Sequence, residues 1–103
     1  MKDNVRQWLA EQFGDDAETI STVWDEYLSS AAEKIAEARV ALEASDFPLL
    51  NSIAHALKGN ALVVGDQELA AAGIALGEAA AASSMTSVAK ALDWIERVDR
   101  ENR

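Results

Sequence analysis

His55, Lys58 and Gly59 are the residues of this sequence whose types and spacing suggest chemistry. An imidazole is a nucleophile when one ring nitrogen keeps its lone pair, and an exposed histidine is mostly in that state near neutral pH. On a helix, Lys58 lies three residues after His55 on the same side, where its ammonium group would attract an anion held by the imidazole. Gly59 leaves the backbone beside the imidazole uncovered, although a helical glycine costs about 1 kcal/mol relative to alanine. The pattern indicates a reactive imidazole that a second molecule can approach closely.

The segment around these residues is almost free of charge. Between residues 47 and 65, Lys58 is the only formally charged side chain, whereas an even distribution of the 18 acidic residues would place about three there. Each feature also has an ordinary explanation: surface histidines are often inert, exposed lysines aid solubility, buried helices carry few charges, and a helical glycine can serve packing. Because the features occur together, we interpret them as a site that does not repel an acidic partner.

The composition excludes several other classes of protein. Nine basic against 18 acidic residues give a net charge of −9, so nucleic acids and anionic membranes are expected to be repelled. The absence of cysteine and the single histidine exclude a disulfide framework, a zinc finger, a cysteine nucleophile and a multi-histidine metal site within one chain. No apolar run suits a secretory signal or a membrane span. We therefore expect a cytoplasmic protein that binds neither nucleic acid nor membrane.

The composition also predicts an all-α fold, because 21 of the 103 residues are alanine, the strongest helix former, and only one is proline. A short first helix is predicted, with Asp3 as its cap and Gly14 at its end. Its predicted apolar face consists of Val5, Trp8, Leu9 and Phe13. Asp15 and Glu18 have the spacing of a capping box and predict a second helix that runs to about Ala44.

Three further helices are predicted. The third is capped within residues 45–46 and ended by Gly65, the fourth begins near Asp66, and the fifth begins near Ser84 or Thr86. The third helix is expected to bury a stripe with alternating gaps of three and four residues, namely Phe47, Leu50, Ala54, Leu57, Ala61 and Val64.

Helices with short connections and one apolar face each favour an antiparallel up-and-down four-helix bundle. We expect this bundle over residues 15–103, with the capping helix of residues 1–14 laid across one end and the whole chain forming one domain. His55 follows the predicted core residue Ala54, so the helix turns its side chain about 100° away from the core. We therefore expect His55 and Lys58 to reach solvent.

The segment His-Ala-Leu-Lys-Gly-Asn at residues 55–60, followed by Gly65 and then by Leu69, Gly73 and Leu76, resembles the histidine-containing phosphotransfer (HPt) family. The core of the resemblance is an H-x-x-K-G pattern with a second glycine six residues after its own. The motif covers about a quarter of the chain, and the predicted bundle extends the resemblance to almost all of it.

Two positions depart from the family pattern. Asn60 stands where many members have serine. Gly77 follows Leu76 where an acidic residue is common, and Glu78 comes one place later. Contacts on the predicted fourth helix are therefore not carried over from the family.

The resemblance implies a reversible carrier of phosphoryl groups. His55 would accept a phosphoryl group from the aspartyl phosphate of a response-regulator receiver domain and pass it to another receiver, while Lys58 stabilises charge on the equatorial oxygens. The receiver would supply Mg²⁺, so no cofactor is expected in this chain, and no kinase activity of its own. A hybrid sensor histidine kinase is a further expected partner. The residues expected to contact the receiver are Asn51, Ala56, Gly59, Asn60, Leu62 and Val63.

Other interpretations stay open at this point. A helical adaptor would bind receivers or other signalling proteins without accepting phosphate, and incubation with a phosphorylated receiver distinguishes it from a carrier. A self-sufficient hydrolase that pairs Ser52 with His55 is disfavoured, because neighbours on a surface helix supply neither an oxyanion hole nor an orienting carboxylate. Leu62 is compatible with a place in the core as well as on the docking surface.

Overall fold

Five α-helices and no strands form the computed structural model, which describes all 103 residues. The predicted all-α class is therefore confirmed. The helices are α1 (Asp3–Phe13), α2 (Ala17–Glu43), α3 (Phe47–Val63), α4 (Gln67–Ala81) and α5 (Met85–Asn102). None of the five combines the length and the apolarity that crossing a lipid bilayer requires.

Short polar side chains start four of the five helices. The carboxylates of Asp46 and Asp66 accept hydrogen bonds from the backbone N–H groups three residues later, and Ser84 does the same through its hydroxyl. These three caps lie where the sequence predicts them. Each satisfies a backbone donor that has no partner within its helix.

The first two helix starts differ from the prediction. The cap of α2 is Asp16, whose carboxylate accepts the N–H of Glu18, and not the adjacent Asp15. Two neighbouring aspartates make this start ambiguous by one residue, and Asp16 has the extended backbone that a cap needs. Asp3 is the first residue of α1 rather than its cap, since Lys2 holds that position without a side-chain bond.

Gly65 ends α3 as predicted. Its φ of +73° lies in the left-handed region that side chains disfavour, and a Cβ at this position would lie 2.5 Å from Cγ of Trp8. Trp8 therefore packs directly on the turn between α3 and α4. Its indole Nε1–H also donates a hydrogen bond of 3.0 Å to the carbonyl oxygen of Val63.

The four longer helices contact one another in a ring. α2 contacts α3 and α5, α4 contacts the same two helices, and α1 lies against α2. The shared core contains 25 apolar residues. Most of the predicted stripe positions belong to it, namely Leu50, Ala54, Leu57 and Ala61 of α3 and Val64 just after the helix, whereas Phe47 is only half-buried.

The core differs from the predicted stripes in α1 and α3. Only Val5 and Leu9 of α1 are buried, whereas Trp8 and Phe13 are 38% and 43% exposed. The reason is that a short helix on the end of a bundle can turn only a narrow face inward. Ile53 of α3 is buried although it lies off the stripe, because α2 and α4 cover this helix from two sides.

A buried carboxylate links α2, α4 and α5. Asp66 is 1% exposed and accepts hydrogen bonds from the Tyr27 hydroxyl at 2.8 Å and from Nδ2 of Asn102 at 2.9 Å. Its other oxygen caps α4 through the N–H of Leu69. Burial, followed by the negative charge of Asp66, raises the pKa of Tyr27 far above its usual value. The sequence gives no periodic signal for this long-range contact.

Replacing Tyr27 by phenylalanine should lower the free energy of unfolding by about 1 to 2 kcal/mol, because a buried acceptor loses a donor. The stabilisation by Tyr27 is complete below the pKa of an unfolded tyrosine, about 10, and is lost as the pH rises further, since only the unfolded chain then loses this proton. Urea unfolding at pH 7 and above pH 10 measures both effects. Tyr27 is the only tyrosine, so equal alkaline losses in the parent and the Phe variant would contradict this burial.

Candidate functional site

His55 lies in the middle of α3 and is exposed. Its neighbour Ala54 and the nearby Leu57 are buried, so the helix turns the imidazole outward, as the sequence predicts. The hydrogen bonds of α3 side chains involve other residues, and neither ring nitrogen of His55 is occupied by a group of this chain. The imidazole is therefore free to react with an external molecule.

A groove of about 250 Å³ runs between α3 and α4 beside this imidazole. His55 and Lys58 line it from α3, and Ile74 and Glu78 line it from α4. The remaining lining residues are Asn51, Ala54, Gly73, Gly77 and Ala81. Because a nucleophile, a cation and an exposed apolar side chain border one groove, we identify it as the candidate site.

Glycines of α4 allow the two helices to approach closely at this groove. A Cβ on Gly73 would lie 3.2 Å from the backbone nitrogen of Lys58 and 3.3 Å from the carbonyl oxygen of Ala54. Gly77 has more room, because a Cβ added to it would lie 3.5 Å from its nearest neighbour, Oδ1 of Asn51. The contact at Gly73 is thus backbone against backbone, directly beneath the candidate site.

Lys58 is half-buried and forms no ion pair. Four other cations form ion pairs with carboxylates of the chain, namely Lys2, Lys34, Arg39 and Arg103. The hydrogen bond from Arg39 to Glu96 raises the pKa of the Arg39 guanidinium. The ammonium group of Lys58 is by contrast available to an anion brought to the groove.

Gly59 faces open space, with no atom of the chain within 4 Å of an added Cβ. The sequence predicts a close approach at this glycine, and no part of the chain itself makes that approach. The exposed backbone at Gly59 therefore remains accessible to an external molecule.

The residues predicted to contact a partner differ in how exposed they are. Leu62 and Val63 are 51% and 60% exposed, so Leu62 belongs to the surface and not to the core. Asn51 is exposed on the groove, and Ala56 is half-buried.

Asn60 differs from the other predicted contact residues. Its Nδ2 donates a hydrogen bond of 3.1 Å to the hydroxyl of Ser30 on α2. Five residues after His55, the helix has turned by about 140° from the imidazole, which explains this direction. The structure therefore places the Asn60 side chain against α2 rather than beside His55.

Ile74 and Glu78 are site residues that the sequence analysis missed. Ile74 is 44% exposed and both line the groove. Each follows one of the glycines, Gly73 and Gly77, at which α4 packs against α3. A residue that follows such a glycine lies at the rim of the helix contact, and this position was the signal by which the sequence could have identified Ile74 and Glu78.

No group of three or more histidine, cysteine, aspartate or glutamate side chains has the arrangement of a metal site. The groove itself contributes one carboxylate, that of Glu78. The arrangement can present a nucleophile and one positive charge, and it depends on another molecule for any further catalytic group.

Comparison with known proteins gives one finding. The family model described as Hpt domain matches residues 22–101. The match includes α3, α4, most of α2 and nearly all of α5, whereas α1 lies outside it. A search of the curated proteins and a search of the solved structures each returned no match.

Alanine substitutions at two glycines of the site should have opposite effects on stability. Gly59→Ala should raise the free energy of unfolding by about 1 kcal/mol, because alanine is the better helix former and the space is open. Gly73→Ala should lower it by about 1 kcal/mol, because the new Cβ forces two backbones apart. Urea unfolding followed by circular dichroism measures both, and equal stability of the two variants would contradict the close contact.

Proposed function

The chain belongs to the Hpt domain family, and from this premise we propose that it relays phosphoryl groups between the aspartates of response-regulator receiver domains through phosphohistidine at His55. Membership of the family supports a histidine phosphotransfer role. The observation that carries the choice of residue is the position of His55, the only histidine of the chain, exposed in the middle of α3 and beside Lys58.

The transfer step requires only a free ring nitrogen from this chain. The lone pair of the distal nitrogen, Nε2, attacks the phosphorus of the receiver's aspartyl phosphate, and the bond from phosphorus to the carboxylate oxygen breaks. The aspartate leaves with the electron pair of that bond, and the phosphoryl group is then held by His55. The reverse step returns the phosphoryl group to a second receiver. No base has to remove a proton from the attacking nitrogen, since a neutral imidazole already carries a lone pair there.

Lys58 supplies charge to this transfer. In phosphoryl transfer, charge is spread over the three equatorial oxygens, and catalysis consists mainly of positioning and charge neutralisation. The ammonium group of Lys58 borders the same groove as His55 and is not paired with a carboxylate. It therefore binds these oxygens as a point charge.

The receiver contributes the remaining groups. The groove offers a single carboxylate, so we assign Mg²⁺ and the acidic pocket that holds it to the receiver, and none to this chain. The protein then acts as a phosphocarrier without kinase activity of its own, and a hybrid sensor histidine kinase is the proposed source of phosphate. An antiparallel arrangement of α2 to α5, a single domain over the chain and a cytoplasmic location stay predictions.

A protein adaptor that binds receivers without accepting phosphate is the second candidate. The exposed Leu62 and Val63 fit an adaptor as well as they fit a carrier, because apolar surface on α3 favours docking whether or not phosphoryl transfer follows. The unoccupied imidazole favours the carrier.

Incubation with a phosphorylated receiver tests the carrier directly. The parent protein should gain acid-labile, alkali-stable phosphate, and His55→Gln should gain none, since glutamine has no nucleophilic ring nitrogen. Receiver binding by the Gln variant, measured by calorimetry, controls for loss of the interface. Labelling of the Gln variant at the parental level would refute the assignment of His55, and binding without labelling of the parent would favour the adaptor.

Lys58→Ala should slow phosphoryl transfer about tenfold, because one charge-assisted contact to the equatorial oxygens is lost. Lys90→Ala is the matched control, since Lys90 is an exposed and unpaired lysine on α5. Rapid-quench measurement of single-turnover transfer from a phosphorylated receiver compares the two. Equal rates in both variants would show that Lys58 acts only as a surface charge.

A further inference from the structure

A single carboxylate stands on the groove that holds His55 and Lys58. Glu78 lines this groove from α4, on the wall opposite the imidazole, and its side chain is exposed. Apart from these three, no residue that lines the groove has a titratable side chain. The charge that a phosphoryl group meets in the groove is therefore set by one ammonium group and one carboxylate.

Glu78 is not neutralised by any cation of the chain. The ion pairs of the protein do not include it, although Lys58 lines the same groove. Glu78 also borders the neighbouring groove between α4 and α5, and it does not pair with Lys90 there either. Because the carboxylate is unpaired, its charge acts on any anion that the groove receives.

The close contact between α3 and α4 keeps Glu78 beside the imidazole. At Gly73, five residues before Glu78, the two helices pack backbone against backbone. Helices packed in this way do not separate to relieve a charge repulsion. The groove volume of about 250 Å³ equals a sphere about 8 Å across, which is one Debye length at physiological salt. Charges on its two walls are therefore only partly screened from each other.

Phosphorylation of His55 adds negative charge to this groove. The transfer forms a bond from Nε2 to phosphorus and breaks the bond from phosphorus to the aspartyl oxygen, which leaves with the electron pair. The phosphoryl group carries about two negative charges, whereas the ring contributes at most one positive charge through its Nδ1 proton. The groove becomes more negative in either protonation state of the ring. Repulsion from Glu78 then raises the free energy of phosphohistidine relative to the free imidazole.

We propose that Glu78 repels the phosphoryl group on His55 and so shifts the transfer equilibrium toward the receiver, against the attraction of Lys58. This inference rests on the proposed function, because it concerns the phosphorylated form of His55. Two like unit charges about 10 Å apart in water change an equilibrium constant about twofold, and two charges on the phosphoryl group change it about fourfold. Glu78 acts at a distance through charge, so its effect weakens as the salt concentration rises.

The distribution of radiolabelled phosphate between the protein and a receiver at equilibrium measures this repulsion. At concentrations below the Kd of the complex, this ratio depends only on the separated proteins, so a change in docking alters the rates and not the ratio. Glu78→Gln should raise the ratio of labelled protein to labelled receiver about two- to fourfold at low ionic strength. The increase should fall below about 1.5-fold in 1 M salt, where the Debye length is about 3 Å.

Two control variants separate the charge of Glu78 from its shape and from net charge. Glu78→Asp keeps the carboxylate and should keep the parental ratio. Glu101→Gln removes the same charge from an exposed, unpaired position on α5, a helix that has no contact with α3, and should leave the ratio unchanged. An unchanged or lower ratio in Glu78→Gln, or equal effects of Glu78→Gln and Glu101→Gln, would overturn the proposal.

The double variant of Lys58→Ala and Glu78→Gln tests whether Glu78 acts on the phosphoryl group directly. Lys58→Ala alone should lower the ratio, because it removes the attracting charge. If each side chain interacts with the phosphoryl group independently, the two effects multiply in the double variant. Loss of the Glu78→Gln effect in the Lys58→Ala background would show that Glu78 acts only by drawing Lys58 away, and would overturn direct repulsion.

The two proposals fail in distinguishable ways. Label on His55 with a ratio that does not respond to Glu78→Gln removes the role of this carboxylate and leaves the carrier function intact. A parent protein that takes no label from any receiver of its source organism contradicts the carrier, and the role of Glu78 with it.

Discussion

The backbone contact between α3 and α4 at Gly73 is the constraint on which the candidate site depends. An added Cβ there would lie 3.2 Å from the backbone nitrogen of Lys58, so any larger residue separates the helices. Because α4 approaches so closely, Ile74 and Glu78 stand at the rim beside His55 and form the second wall of the groove. The imidazole needs no support of its own, since a rigid helix on a tightly packed base already determines where it points.

Polar contacts at one end of the molecule hold this arrangement together. Asp66 caps α4, and it also receives hydrogen bonds from Tyr27 on α2 and Asn102 on α5. The turn that joins α3 to α4 is thereby tied to both neighbouring helices, while Trp8 packs on the turn from outside. A buried carboxylate with several donors is stable only when all its partners are in place, so the turn has one favoured geometry. The geometry of this turn determines the register of α3 against α4.

The distribution of charge determines which surface a partner can approach. α2 carries six carboxylates and two cations, whereas Lys58 is the only formally charged residue of α3. On a protein with a net charge of −9, α3 is the one helix without a carboxylate, so it should repel an acidic partner less than the other helices do. Under the proposed function, charge favours this face for docking, and its exposed apolar side chains, Leu62 and Val63, would supply contact area.

The sequence by itself determined the five helices, most of the stripe of α3 and the outward direction of His55, because capping, periodicity and the turn of a helix are local properties. The H-x-x-K-G spacing likewise indicated the family that the comparison shows. Only the tertiary structure decided that Asn60 turns to Ser30, that Trp8 covers Gly65 and that Glu78 borders the groove. Each of these depends on which helices meet and at what distance, and that distance is set by contacts between residues far apart in the chain.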